Sequence, residues 1–187
     1  MRALRRLLLL LPLAAACAST TLVSTWRAPD VGRLSFRRIL VYAPFNDPSL
    51  RRSTEDTVVR QITGATAVPS YAILPDAQAG DREPLKRKVA EGGFDGLVIF
   101  RVVNVTREAT WVPGTYWGPI YAGPIYDPGY VQVNTVVRME TNVYDAPNEK
   151  LVWASASATT NPSSMSSLAK DVAKAVTKEM RKQGLIR

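Results

Sequence analysis

The stretch FDGLVIFRVVNVTRE, residues 94–108, decides the fold. Its residues 97–100 are apolar without a break, the pattern of a strand covered on both faces. From Arg101 onward polar residues interleave, which predicts a strand that leaves the core and runs toward solvent. A helical pattern stops just before it, at Glu91-Gly92-Gly93, and long alternating segments follow. The segment is therefore the expected centre of a small sheet that carries helices.

Toward the amino end, residues 39–43 form a compact apolar run between an arginine pair and Pro44, and read as a buried strand. Asn46-Asp47-Pro48 then predicts a helix start, with Asp47 as cap and Pro48 in the first helical position. Leu50, Thr54, Val58 and Ile62 share one face of that helix, and Arg51, Arg52, Glu55 and Arg60 are placed elsewhere. Residues 66–74 read as the next strand, with Pro69 marking an edge or a bulge. Asp81 is the expected cap of a second helix, with Leu85 and Val89 inward and the glycine pair as its stop. A first edge strand is expected at 23–26.

Toward the carboxyl end, residues 130–144 alternate. Val131, Val133, Val137, Met139 and Val143 lie on one face, with Gln132, Asn134, Arg138, Glu140 and Asn142 on the other. Asp145-Ala146-Pro147-Asn148 is a turn, and residues 151–160 return antiparallel. A last helix, about Ser164 to Gln183, turns Leu168, Val172, Ala175 and Val176 to the sheet and Lys170, Lys174, Lys178 and Arg181 outward. The expected class is α/β (α+β): one mixed sheet in the order β-β-α-β-α-β-β-β-α. Its early strands are parallel, its carboxyl-terminal hairpin antiparallel, and helices pack on it.

The 187 residues carry a formal charge of +8, of which Arg2, Arg5 and Arg6 sit in the first few positions, leaving +5 beyond them. A moderately basic surface suits anionic partners of several kinds. Histidine is absent and Cys17 is the sole cysteine. The chain thus lacks an intrachain disulfide, a cysteine metal site and the commonest general base. The sixteen carboxylates show no metal-ligand spacing. No metal, cofactor or nucleic-acid partner is expected.

Residues 1–16 have a basic start, an apolar run at 7–13 and small residues before Cys17, as in a secretory leader. The run Leu13-Ala14-Ala15-Ala16-Cys17-Ala18 resembles the lipobox of bacterial lipoproteins, with Ala14 where that motif most often has leucine. The resemblance implies cleavage before Cys17 and acylation of its thiol, with residues 17–24 as a tether and one periplasmic domain over 25–187. Ala18, in place of aspartate, implies the outer membrane. Several acyl chains at about 0.8 kcal/mol per buried methylene would hold such a protein on a bilayer. An ordinary cleaved leader with an incidental Cys17 is the alternative.

Residues 111–130, WVPGTYWGPIYAGPIYDPGY, hold six of the fifteen aromatic residues: Trp111, Tyr116, Trp117, Tyr121, Tyr126 and Tyr130. They also hold eight of the 24 glycines and prolines, which bar helix and central strand. This excursion is read either as a recognition loop or as a loop whose rings cover its own domain. The lysine stripe is either an anion-binding surface or a solvated helix face. Ser167 and Lys170 match S-x-x-K, but neither S-D-N nor K-T-G occurs. Asn104-Val105-Thr106 is a formal glycosylation triplet inside a strand.

Trp26-Arg27-Ala28-Pro29, the strand GFDGLVIFRV, Tyr126-Asp127-Pro128-Gly129-Tyr130 and Lys150-Leu151-Val152-Trp153, together with the leader, resemble uncharacterised bacterial lipoproteins. They are similar to the domain-of-unknown-function family 4136, and more distantly to outer-membrane lipoproteins that activate or assemble envelope machines. The resemblance brings no catalytic residue, and only Cys17 is carried over. The expectation is a non-enzymatic module whose aromatic loop meets an envelope protein or glycan. A binder of anionic envelope components and an envelope hydrolase are the alternatives.

Overall fold

The computed structural model describes residues 19–32, 34–114, 116–117, 125–126 and 128–187. Strands β1 (Ser19–Arg27), β2 (Arg38–Tyr42), β3 (Thr66–Pro69), β4 (Gly96–Val112), β7 (Tyr130–Asp145) and β8 (Lys150–Thr160) form one sheet, ordered β1-β8-β7-β4-β2-β3. Strand β2 runs parallel to both β3 and β4, and all other pairings in it are antiparallel. Two short strands, β5 (Tyr116–Trp117) and β6 (Ile125–Tyr126), pair separately. The helices are α1 (Pro48–Gln61), α2 (Arg82–Glu91) and α3 (Met165–Lys182). The mixed sheet and the element order expected above are those observed.

The parallel part explains where the helices lie. The crossover β2–α1–β3 steps outward and β3–α2–β4 steps back across β2, so right-handed turns send their helices to opposite faces. Accordingly Ile39 and Val41 of β2 pack with Val58 of α1 and with Leu168, Val172, Val176 and Met180 of α3. Leu40 and Tyr42 pack with Leu85 and Val89 of α2. On the α1/α3 side Val98, Phe100, Val137, Met139, Val143 and Trp153 complete a core in which each buried large side chain contributes about 1.5–3 kcal/mol.

The local signals act as physical chemistry requires. The Asp47 carboxylate accepts the amides of Ser49 and Leu50 at 2.8 and 3.0 Å, and Pro48 opens α1. Ser164 caps α3 reciprocally with Ser167. Gly93, at φ 62°, ends α2 in the left-handed region, where the amide of Phe94 reaches the Val89 carbonyl. Asp81 sits at the N-cap position of α2, but its side chain makes no capping bond. The Asp95 carboxylate accepts the amides of Arg37 and Arg38, fixing the start of β2 against β4.

Four expectations are corrected. Residues 19–24, expected as tether, belong to β1, which pairs with β8 from Ser19↔Thr160 to Arg27↔Trp153. Small residues suffice there because β8 is itself an alternation of alanine with serine and threonine, and the Thr20 hydroxyl bonds that of Thr159 at 2.7 Å. Strand β3 stops at Pro69, and Ser70–Ala72 turns as a short 3-10 segment, since proline removes the next ladder donor. Ala175 is only partly covered, whereas Ala169 and Ala173 are the alanines of α3 that the core buries. Arg51 and Glu55, placed off the apolar face, are both wholly buried.

Candidate functional site

Strands β4 and β7 outrun their neighbours. Strand β2 ends its pairing at Tyr42↔Ile99, and β8 ends its pairing at Val136↔Thr160. Thr106↔Val136 is the matching β4/β7 pair, and beyond it pairing continues through Arg107↔Thr135 to Val112↔Tyr130. A two-stranded arm therefore projects past the sheet by six residues on each strand, roughly 20 Å at the usual rise. Asn161, just after β8, clamps its base. Its carboxamide oxygen accepts the Thr135 amide at 2.8 Å, and its amide nitrogen donates to Asn134 Oδ1 at 2.8 Å.

The arm exposes what a body strand would bury. Trp111, Tyr130, Val131 and Val133 on the arm, and Val103 and Val105 on β4 just before its base, are each between 56% and 60% exposed. Val131 and Val133, which alternate in phase with the core residues Val137, Met139 and Val143, lose their cover because none of the helices α1–α3 among the described residues reaches that far. Ala109, Trp111, Val131 and Val133 share one face of the ribbon, continuing the α1/α3 side of the sheet. Trp111 and Tyr130, expected in a loop, are strand residues at the outer end of the arm. Tyr116 pairs with Tyr126 and Trp117 with Ile125 across the β5/β6 backbone ladder, so the excursion is itself partly a hairpin. Tyr121 and Cys17 lie outside the described residues. The valines were missed as surface residues. Their signal was the absence of charge: residues 109–133 contain a single ionisable carboxylate, Asp127, and no lysine or arginine.

The basic stripe lies on the outer face of α3. Lys170, Lys174 and Lys178 are exposed at four-residue spacing, and none makes an ion pair among the described residues. Arg181 is tied elsewhere, donating to the hydroxyl and carbonyl of Thr63 after α1. Ser167 of the S-x-x-K match is engaged as a capping residue. Its hydroxyl donates to the Ser164 carbonyl at 2.9 Å and accepts the Ser164 amide at 3.0 Å.

The switch in helix side between β2 and β3 leaves a crevice at the carboxyl ends of those strands, a place where open α/β sheets bind ligands. Here the protein fills it with its own charges. Arg51 reaches Glu55 at 3.2 Å, Asp76 at 3.1 Å, the Ser70 hydroxyl at 2.7 Å and the Leu74 carbonyl at 3.3 Å. Glu55 accepts from the amides of Ala43 and Tyr71, both at 3.0 Å, and from the Ser70 hydroxyl at 2.6 Å. No donor of this network faces an open space large enough for a substrate, because both central side chains are fully enclosed.

A cleft of about 810 Å³ opens between α2 and the second face of the sheet. Leu85, Val89, Leu97, Ile99 and Tyr144 form its apolar walls, and the Lys86–Glu149 ion pair (2.5 Å) spans its rim. The size suits a small ligand. Its carboxylates are partly engaged: Asp95 holds the Arg37 and Arg38 amides and Glu149 holds Lys86. Among the described residues no cluster of metal-ligating side chains occurs, and no helix is long and apolar enough to cross a membrane.

No family model and no curated protein matches the chain, so the named lipoprotein family rests on the residues quoted for it. Solved structures are similar at low identity. A dodecamer of a single-substitution PelC variant from Paraburkholderia phytofirmans is 13% identical with a TM-score of 0.48, covering 86% of this chain and 96% of that one. A second PelC dodecamer structure from the same organism is 15% identical with a TM-score of 0.46, over the same shares. Lipoprotein GNA1162 from Neisseria meningitidis is 16% identical with a TM-score of 0.40, covering 78% of this chain and 99% of that one.

Proposed function

We propose that this chain is a non-enzymatic contact module of the bacterial cell envelope, held at the outer membrane by an acylated Cys17 and working through the β4/β7 arm. The observation that carries the reading is the arm itself, a ribbon whose edges pair with no further strand among the described residues and whose Trp111, Tyr130, Val131 and Val133 are more than half exposed, where a body strand would have buried them. Exposed apolar patches of this kind mark surfaces that meet another component. The buried Arg51 and Glu55 are satisfied internally, and the Ser167 hydroxyl serves a helix end, which leaves little reactive chemistry on offer.

The test is made on the full chain produced in a Gram-negative host. Mass analysis of the amino-terminal peptide should find Cys17 acylated, and Cys17→Ser should release the protein from the membrane fraction. A photo-crosslinking residue in place of Val131 should give envelope adducts that the same residue in place of Ser53, exposed on α1, does not. An unmodified Cys17 would remove the anchor from the reading, and equal adducts at both positions would remove the arm.

A second reading is favoured by Lys170, Lys174 and Lys178, exposed on α3 and without an ion pair among the described residues: contact with anionic envelope groups. Such binding collapses as salt shortens the screening length, whereas contact through the arm does not.

A further inference from the structure

We infer that the arm is a bilayer-interface element, seated among lipid headgroups beside the protein's own anchor. The inference rests on the acylated Cys17 proposed above and gives that module's contact surface a defined partner, the phospholipid bilayer. It starts from one row across the sheet. Ser19 pairs with Thr160, Thr160 with Val136, and Val136 with Thr106. The first described residue of the chain and the base of the arm therefore lie at the same end of the sheet, and β1 begins where the arm departs.

Lengths then decide the geometry. Cys17 is two residues before Ser19, a reach of at most about 7 Å for a fully extended backbone. The arm extends roughly 20 Å beyond the row. A headgroup layer is only about 5–8 Å deep on each side of a hydrocarbon core of about 30 Å. With the strands upright, the outer part of the arm reaches past the anchor's own position. With the sheet tipped over, the arm lies along the membrane. The upright pose would carry the arm's end through the headgroup layer into hydrocarbon, so the tipped pose is the one that seats the arm at the interface.

The composition fits that medium. Beyond Glu108↔Asn134 the paired residues are Ala109, Thr110, Trp111 and Val112 against Val133, Gln132, Val131 and Tyr130, none of them charged. Tryptophan and tyrosine at its end are the side chains that settle at headgroup level, with an apolar body and a polar tip. The same backbone sets a limit on depth. A two-stranded ribbon has unpaired amides and carbonyls along its edges, each costing several kcal/mol in hydrocarbon, so the arm stops at the interface and does not span.

The experiment uses the full acylated chain reconstituted in phosphatidylethanolamine/phosphatidylglycerol vesicles. Acylation consumes the only native thiol, so Val131→Cys, Val133→Cys and, as control, Ser53→Cys each offer one site for a nitroxide label. Collision rates are read with oxygen, which concentrates in lipid, and with a neutral nickel chelate, which stays in water. The expected result is a severalfold lower nickel rate and a higher oxygen rate at 131 and 133 than at 53. Equal nickel rates at all three positions would overturn the inference while leaving the anchor intact. Shielding at 131 accompanied by dipolar broadening between labels would assign the arm to a second copy of the chain and overturn it too. If the amino-terminal peptide proves unacylated, the anchoring reading fails separately. The Cys17→Ser chain mixed with the same vesicles then decides the arm by the same collision rates, lipid shielding supporting it and water exposure overturning it.

Discussion

Arg51 and Glu55 stand one helical turn apart on α1, both fully buried, with Nε and Oε1 3.2 Å apart. Their remaining donors and acceptors are spent on Ser70, Asp76 and the backbone of residues 43, 71 and 74, so the crevice between β2 and β3 is closed from within. Removing one partner strands the other charge in the interior. Arg51→Met is expected to cost about 3–5 kcal/mol of unfolding free energy, and Arg51→Met combined with Glu55→Leu less than that. Urea unfolding of the three proteins gives the comparison.

Asn161 takes a positive φ of 49°, a conformation that asparagine and glycine tolerate, while its side chain clamps Thr135 and Asn134. Asn161→Gly keeps the backbone and removes the clamp. A loss of about 1 kcal/mol is expected, with faster amide exchange at residues 130–135 and little change in the core. Hydrogen exchange resolved by residue reads both.

Arg101 and Glu140 are cross-strand partners, with Nε 2.8 Å from the carboxylate. That hydrogen bond, aided by one from Asn142 and by the Arg101 charge and opposed by partial burial, holds the Glu140 carboxyl below its ordinary value of 4.5. A lowered pKa stabilises the fold above 4.5 and ceases to do so as pH falls through the folded value. Glu140→Gln should therefore cost at most about 1 kcal/mol near neutral pH, and the difference from wild type should vanish in acid. Denaturant midpoints measured across that range show the convergence.

The carboxyl terminus is part of the core. Leu185 and Ile186 are buried, and the Leu185 carbonyl accepts the Phe36 amide at 2.8 Å. Deleting residues 185–187 is expected to destabilise by about 3–6 kcal/mol from the two lost side chains alone. Thermal unfolding followed by near-ultraviolet dichroism measures it.

The arm's side chains should behave in the opposite way. Val131→Ser, Val133→Thr and Trp111→Ser remove groups that are more than half exposed and, among the described residues, touch only cross-strand and turn neighbours, so each is expected to change stability by no more than about 1 kcal/mol. Lipid shielding should drop with the same substitutions, separating contact from folding.

The sequence displayed the elements that local chemistry determines. Asp47-Pro48, Ser164 and Gly92-Gly93 each set a helix boundary by satisfying backbone groups nearby. It was silent where the answer lies in a distant strand. Residues 19–24 look like a tether because they are small and polar. They become strand because β8, more than a hundred residues later, offers an edge of matching small side chains. Arg51 and Glu55 carry the spacing of a solvated ion pair, and only the opposite placement of α1 and α2 creates the enclosed crevice they occupy. Likewise the alternation through Val131 and Val133 announces a strand without saying that β8 and β2 end too soon to cover it.

The ladder between β4 and β7 skips one residue between Val102 and Asn104. Before the skip, the even-numbered side chains Val98 and Phe100 point toward α1 and α3. After it, the odd-numbered ones do, Trp111 among them. The two strands of the ribbon thus agree on a greasy side only because Val103 is left out of the count. In an unbroken ladder the same residues would set Glu108 and Thr110 beside the valines and turn the indole away. Trimming Val103 would leave that agreement standing, while one residue added beyond Asn104 without a second skip would undo it. The direction in which this protein turns the exposed apolar face of its ribbon is accordingly a matter of arithmetic, reversible by a single codon with the surface composition almost unchanged.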